Sequence, residues 1–318
     1  MYIYLSILQS TPRFVMRVLL YAAASVGYIV LLYLFIKTAF LVHLYTRRSS
    51  LPRYLRNDAY ALITGASDGI GFGFAQELLT RGFNVILHGG NHSKLSGIKS
   101  DLQKQFPNRK IEFIVADASS SKTDIADLFE AVKDKPIINC IGGIFYYPKM
   151  KSVEDTPADE MDGNINLNAR FPLQVTRALL PILERNTPSL IMTLGTMASL
   201  AGAPLYAAYA ASKASTITFS HSLRHEMRRE GTEIEVLAIQ VGEVRSTGNP
   251  AARSFWVPSS RQFAGSALNR VGCGYPTVFA AFPHYLQNLM GMCIPTSVLD
   301  EMVLRICKGR FEKQTKGE

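Results

Sequence analysis

Tyr209 and Lys213 stand four residues apart in YAASK (209–213), so on a helix both side chains reach one face. The pair suits delivery of a proton to a carbonyl oxygen as hydride reaches its carbon. A phenol with a pKa of ~10 is a sluggish acid or base at neutral pH, and a neighbouring ammonium favours the phenolate and lowers that value. Tyr206 competes for the acid role but lies seven residues from Lys213. A second cluster, TGASDGIG (64–71), places glycines at 65, 69 and 71. Such a run lets the backbone turn tightly and approach a pyrophosphate, which the open N–H groups of a following helix then receive.

These groups need elements to position them. Short apolar runs at Tyr60–Thr64, Asn84–His88, Ile111–Ala116, Pro136–Ile141, Leu190–Leu194 and Ile234–Ile239 read as strands. Helical stretches between them include Phe74–Thr80, Asp124–Val132, Leu173–Glu184 and Ala211–Arg229. Strand–helix alternation with near-continuous Val, Ile and Leu predicts an α/β fold with a doubly wound parallel sheet covered on both faces. The glycine cluster ends the first strand and opens the first helix, the context a phosphate cradle requires. The sequence shows neither an internal repeat nor a low-complexity tract.

The GxxxGxG spacing resembles the short-chain dehydrogenase/reductase family, and further motifs follow in the family's order over residues 60–247. Asp117 in VADAS (115–119) falls where the family's adenine-contacting Asp lies, and NCIG (139–142) is similar to its strand-four Asn motif, beginning at Asn139. YAASK is its YxxxK, and VGEVRS (241–246) stands for its Pro-Gly-x-Val-x-Thr segment without the proline. The resemblance implies a Rossmann fold, with Gly65, Ser67, Asp68, Gly69, Ile70, Gly71, Asp117, Asn139, Tyr209, Lys213, Val244 and Ser246 holding the cofactor. It also makes Tyr209 the acid and Lys213 the group that tunes it and holds the nicotinamide ribose. Thr196 takes the place of the serine that bonds the substrate oxygen, with Ser199 a fallback hydroxyl. Asn168, rather than Asn166, becomes the Asn that holds a relay water toward the Lys.

Cofactor preference is read at the end of the second strand, in ILHGGNHSK (86–94). Gly89 occupies the place where NAD-preferring proteins carry an acidic residue for the ribose 2′-hydroxyl. Nothing there repels a 2′-phosphate, and His88, His92 and Lys94 are donors for one. NADP(H) is therefore expected, although Gly90 replaces the Arg that often clamps the phosphate in relatives.

The front of the chain differs from the rest. Of 318 residues with a net charge of +9, residues 1–56 hold seven basic side chains and no acidic one, leaving 27 basic against 25 acidic groups in 57–318. A basic groove over the fold, as nucleic acid would need, is disfavoured. VLLYAAASVGYIVLLYLFI (18–36) is nineteen residues without a charge, long enough to cross a bilayer as a helix. Two basic residues precede it and Lys37, Arg47, Arg48, Arg53 and Arg56 follow, so the rest of the chain is expected on the cytosolic side. The expected organisation is an anchor and basic linker over 1–56, then one domain over 57–318. The sequon NHS (91–93) should stay unmodified on that side.

Two further patterns are weighed and set aside. HSLRH (221–225) has paired histidines but lacks the Glu of a zinc protease, so no metal is expected. Cys140 reads as a small core residue, and the four cysteines form no CxxC pair.

After Ser246 the pattern weakens. Residues 248–299 are expected to form a hydrophobic substrate cover, with 248–270 as a lid around Trp256 and Val271–Leu299 carrying no formal charge. Proline at 276, 283 and 295 argues against a second span. A segment dipping into one membrane leaflet fits the same residues, and so does a core helix pair. The anchor, PLY (204–206), ALNRVGCG (267–274) and PHYLQ (283–287) resemble the microsomal 3-ketoacyl-CoA reductases and 17β-hydroxysteroid dehydrogenases. That resemblance implies NADPH-dependent reduction of a lipophilic 3-oxoacyl, steroid-like or polyketide-derived ketone at the endoplasmic reticulum, and is compatible with a homodimer. Oxidation of a steroid or retinoid alcohol, and a non-catalytic nucleotide-binding scaffold, are the alternatives.

Overall fold

Tyr60–Ile63 is buried along its whole length, as a strand must be when helices cover both faces of its sheet. The computed structural model describes the backbone of residues 2–56, 58–123, 125–142 and 149–316, and side chains over 15–56, 58–123, 125–137 and 149–315. The chain divides into two units, Met1–Arg48 and Ser49–Glu318.

The first unit is one helix, α1 (Tyr2–Thr46). It runs well past the nineteen uncharged residues, through Arg17 and Lys37. Its stretch Val15–Thr46 has 32 residues, a window of mean hydropathy 2.2 and no burial within the protein. At ~1.5 Å per residue that stretch exceeds the hydrocarbon thickness of about 30 Å. Ser25 turns its hydroxyl back to the Tyr21 carbonyl at 2.8 Å, satisfying its polar group within the helix.

The second unit begins with β1 (Tyr60–Ile63), α2 (Gly69–Thr80), β2 (Asn84–Gly89), α3 (His92–Gln105), β3 (Ile111–Val115), α4 (Ile125–Val132) and β4 (Ile137–Gly142). Then come α5 (Ala158–Ile165), a π-helical turn (Asn166–Arg170), α6 (Phe171–Arg185), β5 (Ser189–Leu194), α7 (Ala198–Ala201), α8 (Ala207–Glu230) and β6 (Ile234–Gln240). The chain closes with α9 (Ser260–Leu268), β7 (Thr277–Phe279), α10 (Phe282–Met292) and α11 (Thr296–Lys316). The seven strands lie in the order β3-β2-β1-β4-β5-β6-β7, all parallel. Chain direction across the sheet reverses between β1 and β4, and such a switch point opens a crevice at the carboxyl ends of the strands.

The helices hold their places by caps and by burial. Asn91 accepts from the Lys94 N–H at 2.9 Å to start α3, Ser259 and Gln262 form a reciprocal capping box on α9, and left-handed Gly231 (φ +69°) ends α8. On one sheet face, Leu128, Val132, Phe171, Leu179, Leu183 and Leu223 pack against Leu62, Ile86, Ile191 and Val236. Each such side chain contributes about 1.5–3 kcal/mol when fully buried.

Two segments depart from expectation. Residues 49–55 are not a free linker but a docked one. A 3-10 turn, Leu51–Tyr54, buries Leu51 and Tyr54; Ser49 Oγ donates to the Leu268 carbonyl at 2.5 Å, and Tyr54 Oη donates to Glu235 at 2.6 Å. The reason is amphipathic patterning: Leu51 and Tyr54 lie three apart, so one turn of helix buries both while Arg53 stays out. Within the uncharged run after residue 271, Thr277–Phe279 is the edge strand of the sheet, paired with Ala238–Gln240. The cover expected over 248–299 is thus interrupted by core structure, because a three-residue strand directly after Pro276 leaves too little period-2 pattern to read.

Candidate active site

At the carboxyl ends of the strands lies a cleft of about 1800 Å³. Gly65 and Gly69 adopt φ of +66° and +53°, turning the chain out of β1 and into α2. A Cβ on Gly71 would sit 2.2 Å from the Gly65 carbonyl oxygen, so the turn closes only with glycine there. Asp68 caps α2, accepting from the Gly69 N–H at 2.6 Å while Lys94 pairs with its other oxygen at 2.8 Å. Burial pushes that carboxyl up, but bonds from Lys94, Thr247 and Gly69 outweigh it and hold the carboxyl below its usual range.

The cleft is lined by Gly65, Ser67, Asp68, Gly69, Ile70 and Gly71 along one side, and by Asp117 beyond them. Asp117 holds its loop by accepting from the Ser119 N–H at 3.0 Å and hydroxyl at 2.6 Å. Between them stands His88, buried and stacked on Phe171 with ring centroids 4.8 Å apart. Burial pushes its pKa down to about 4, against the opposing Ala116 carbonyl, so the ring is neutral at physiological pH. Among the described residues neither nitrogen completes a hydrogen bond of good geometry, and both are sealed from solvent beside the Ala116 carbonyl. His92 and Lys94 do not join it: His92 meets Phe113 edge-on at 5.3 Å and Lys94 is engaged by Asp68.

Tyr209, Lys213 and Thr196 line the same cleft. The first two turns of α8 carry Tyr209 and Lys213, 8% and 3% exposed, and the end of β5 delivers Thr196. Burial pushes the Lys213 ammonium down from 10.5 to about 7, and Nζ donates to the Leu194 carbonyl at 3.3 Å. Thr196 Oγ1 accepts from the Ala198 N–H at 3.3 Å, which leaves its own proton to donate. Tyr206 also lines the cleft, its ring 6.4 Å from that of Tyr209. Ser199 does not line it; its hydroxyl is spent on the Thr196 carbonyl at 2.7 Å.

Asn168 lies behind the cleft rather than on its wall. It is buried in the π-helical turn, its amide donates to Asn164 Oδ1 at 2.9 Å, and its carbonyl accepts from Thr216 at 2.8 Å. Asn164, one turn earlier, does line the cleft. The 166–168 spacing carried no sign of this, since a π-turn shifts the face a helix presents. Asn139 stands in β4, and its side chain lies outside the described residues, as does that of Cys140.

Val244 and Ser246 line the cleft on the loop after β6. That loop closes onto the glycine turn, because a Cβ on Gly69 would come within 3.4 Å of Ser246 Cβ. Opposite, Met290, Met292, Ile294, Leu299, Val303 and Ile306 form an apolar wall. Half of that wall belongs to α11, whose Val303 and Ile306 lie beyond the expected cover; the signal was the apolar spacing at 299, 303 and 306. Arg310 ties α11 to Glu243 at 2.9 Å, and Gln314 bonds both backbone groups of Met150 at 2.8 and 3.2 Å.

A glycine turn too tight for any side chain, a helix N-terminus and a long cleft fit a nicotinamide dinucleotide. With a Tyr–Lys pair in the same cleft, the fold and site define a dinucleotide-dependent oxidoreductase of the Rossmann class. The family profile for short chain dehydrogenases matches residues 59–255, and the chain belongs to that family. It is thus an NAD(P)(H)-dependent enzyme acting on C=O and CH–OH groups.

Among curated relatives, a very-long-chain 3-oxoacyl-CoA reductase-like protein of Arabidopsis thaliana is 31% identical over 82% of this chain and 85% of its own. A very-long-chain 3-oxoacyl-CoA reductase of Pyricularia oryzae is 28% identical, over 72% of this chain and 70% of that one. Among solved structures, a 7β-hydroxysteroid dehydrogenase superposes with a TM-score of 0.68 at 18% identity, covering 80% of this chain and 99% of that one. A short-chain dehydrogenase from Sphingobium yanoikuyae in complex with NADPH gives 0.60 at 21% identity, covering 74% and 93%. At these identities the structures establish the fold alone.

Proposed function

We propose that the chain is a membrane-anchored, NADPH-dependent reductase that converts a lipophilic ketone, with a 3-oxoacyl-CoA as the leading candidate, to an alcohol. The observation that carries this reading is the cleft itself. Tyr209, Lys213 and Thr196 share it with the glycine turn, and it continues into a methionine-rich apolar wall from α10 and α11. Flexible, polarizable Met side chains fit chains of varied shape.

Residues 65 and 67–71 would cradle the pyrophosphate, Asp117 would flank the adenosine half, and Val244 and Ser246 would close the nicotinamide end; Asn139 is assigned to the cofactor by its motif. Gly89 leaves the 2′-position free of an opposing carboxylate, which favours NADP(H). When bound, the reduced nicotinamide supplies hydride. Thr196 donates its hydroxyl to the substrate oxygen and withdraws charge from the carbonyl. Tyr209 gives its proton to the developing alkoxide. Lys213, poised near neutral pH by burial, stabilises the phenolate left behind and passes a proton back. Asn168 serves that relay from behind Asn164.

Helix α1 supports the anchor, and the excess of basic residues after it supports a cytosolic catalytic unit. The names of the relatives favour a very-long-chain 3-oxoacyl-CoA and, with it, the endoplasmic reticulum. NADPH oxidation by the full chain in detergent, against 3-oxoacyl-CoA, steroid and polyketide ketones, tests the proposal. Turnover that is greatest on a long 3-oxoacyl-CoA is expected. Tight NADPH binding with no turnover on any ketone would leave the scaffold reading in its place.

A further inference from the structure

His284, in the first turn of α10, is 0% exposed. Its two nitrogens grip successive residues of the loop after β6. The Gly242 N–H donates to Nδ1 at 3.2 Å, and Nε2 donates to the Glu243 carbonyl at 3.0 Å. With Nδ1 accepting, the proton sits on Nε2 and the ring is neutral. Burial lowers the pKa of His284, against the carbonyls of Glu243 and Trp256, and so preserves that tautomer. The ring also lies against the Gly242 backbone: a Cβ there would come within 2.6 Å of Cδ2 and 2.7 Å of Cγ. Phe263 supports the ring, with centroids 5.8 Å apart.

The gripped loop is part of the cleft. Val241, Gly242, Glu243 and Val244 all line it, and the Val241 carbonyl accepts from the Met197 N–H at 2.8 Å, one residue from Thr196. The loop therefore borders the end of the cleft where Tyr209 and Thr196 stand, not the end marked by Gly89 and Asp117. Val241, unlike a proline, does not lock φ at the point where the loop departs from β6, so that residue alone does not set the path. A rigid ring that satisfies one donor and one acceptor in sequence does set it.

We propose that His284 is a positioning residue, which locks the loop Val241–Val244 against the nicotinamide end of the cofactor and so holds the reacting face toward Tyr209. This rests on the reading of the cleft as an NADPH site. Replacement by Phe keeps an aromatic ring beside Phe263 and removes both bonds, leaving two buried backbone groups unpaired. Replacement by Gln keeps a donor for the Glu243 carbonyl.

The test is fluorescence titration of the full chain in detergent with NADPH, and with 2′-phospho-ADP-ribose, which is the same molecule without nicotinamide. His284→Phe should weaken NADPH by about tenfold, the effect of roughly one lost hydrogen bond's net worth on each peptide group. The same variant should bind 2′-phospho-ADP-ribose within about twofold of the parent, since Val241–Val244 borders the reacting end and it is Ser246, beyond the gripped stretch, that meets the glycine turn. His284→Gln should lose about threefold for NADPH, keeping one of the two bonds. Where the Phe variant loses its thermal transition, the same pair of titrations on the Gln variant decides. Equal weakening of both ligands, or unchanged NADPH affinity, overturns the assignment. A parent protein that binds neither ligand overturns the NADPH reading, and the assignment with it.

Discussion

Lys213 is expected to cost the fold stability that the site needs for catalysis, and the cost has a pH signature. Burial moves its pKa from 10.5 to about 7 in the folded chain, which corresponds to about 5 kcal/mol of charging free energy. Between those two values the unfolded chain binds the extra proton and the folded chain does not. Stability therefore rises with pH across that window, by up to about 1.4 kcal/mol per pH unit, and flattens below pH 7. Lys213→Met keeps the apolar stem and removes the charge, and with it the bond from Nζ to the Leu194 carbonyl. At pH 7 the variant should be more stable than the parent by about 2–4 kcal/mol after a loss of about 1 for that bond. Urea denaturation of both proteins in detergent, from pH 6 to about 10, measures the difference while other titrating groups cancel. The gap should close toward high pH. A gap that stays constant with pH would refute the reasoning, because Lys213 would then not be desolvated by folding. Ketone reduction by the variant should be lost over the same range.

Tyr209→Phe should lower turnover by about 10²–10⁴-fold while NADPH titration is unchanged, since only the proton donor is removed. Gly71→Ala places a methyl group 2.2 Å from the Gly65 carbonyl oxygen, so the turn must open; NADPH affinity should fall at least tenfold in the fluorescence titration and stability by about 1–3 kcal/mol. Tyr54→Phe removes the 2.6 Å bond to Glu235, and should cost about 1–3 kcal/mol in denaturant unfolding, which a free linker would not. Ile306→Trp narrows the apolar wall, and kcat/KM should fall about 10–200-fold for a long-chain ketone while a short one is reduced as before.

The elements that pattern could reveal were revealed. Six strands read as near-continuous apolar runs because both faces of a parallel sheet are covered. Both Tyr209 and Lys213 were legible because their spacing equals one helical turn, and the glycines because a turn against a pyrophosphate admits no other residue. The seventh strand escaped because three residues carry no usable period. Asn164 escaped because a π-turn after it changes which face of the helix meets the cleft. His92 and Lys94 looked like donors for a 2′-phosphate, yet one is turned to Phe113 and the other is held by Asp68. Charge and proximity in sequence do not say which partner a flexible side chain takes.

By itself, then, the sequence determined the kind of sheet, the glycine turn, the pairing of Tyr209 with Lys213 on one helix, and an apolar helix ahead of them. Each of these rests on a local period or a local steric demand. Tertiary structure alone decided that Lys213 is buried and lowered, that α11 supplies half of the apolar cleft wall, that residues 49–55 dock on the domain and that His284 grips the loop after β6. Those are contacts between segments 40 to 220 residues apart, such as Gly242 with His284 and Ser49 with Leu268, and no period along the chain encodes which distant residue fills a given space.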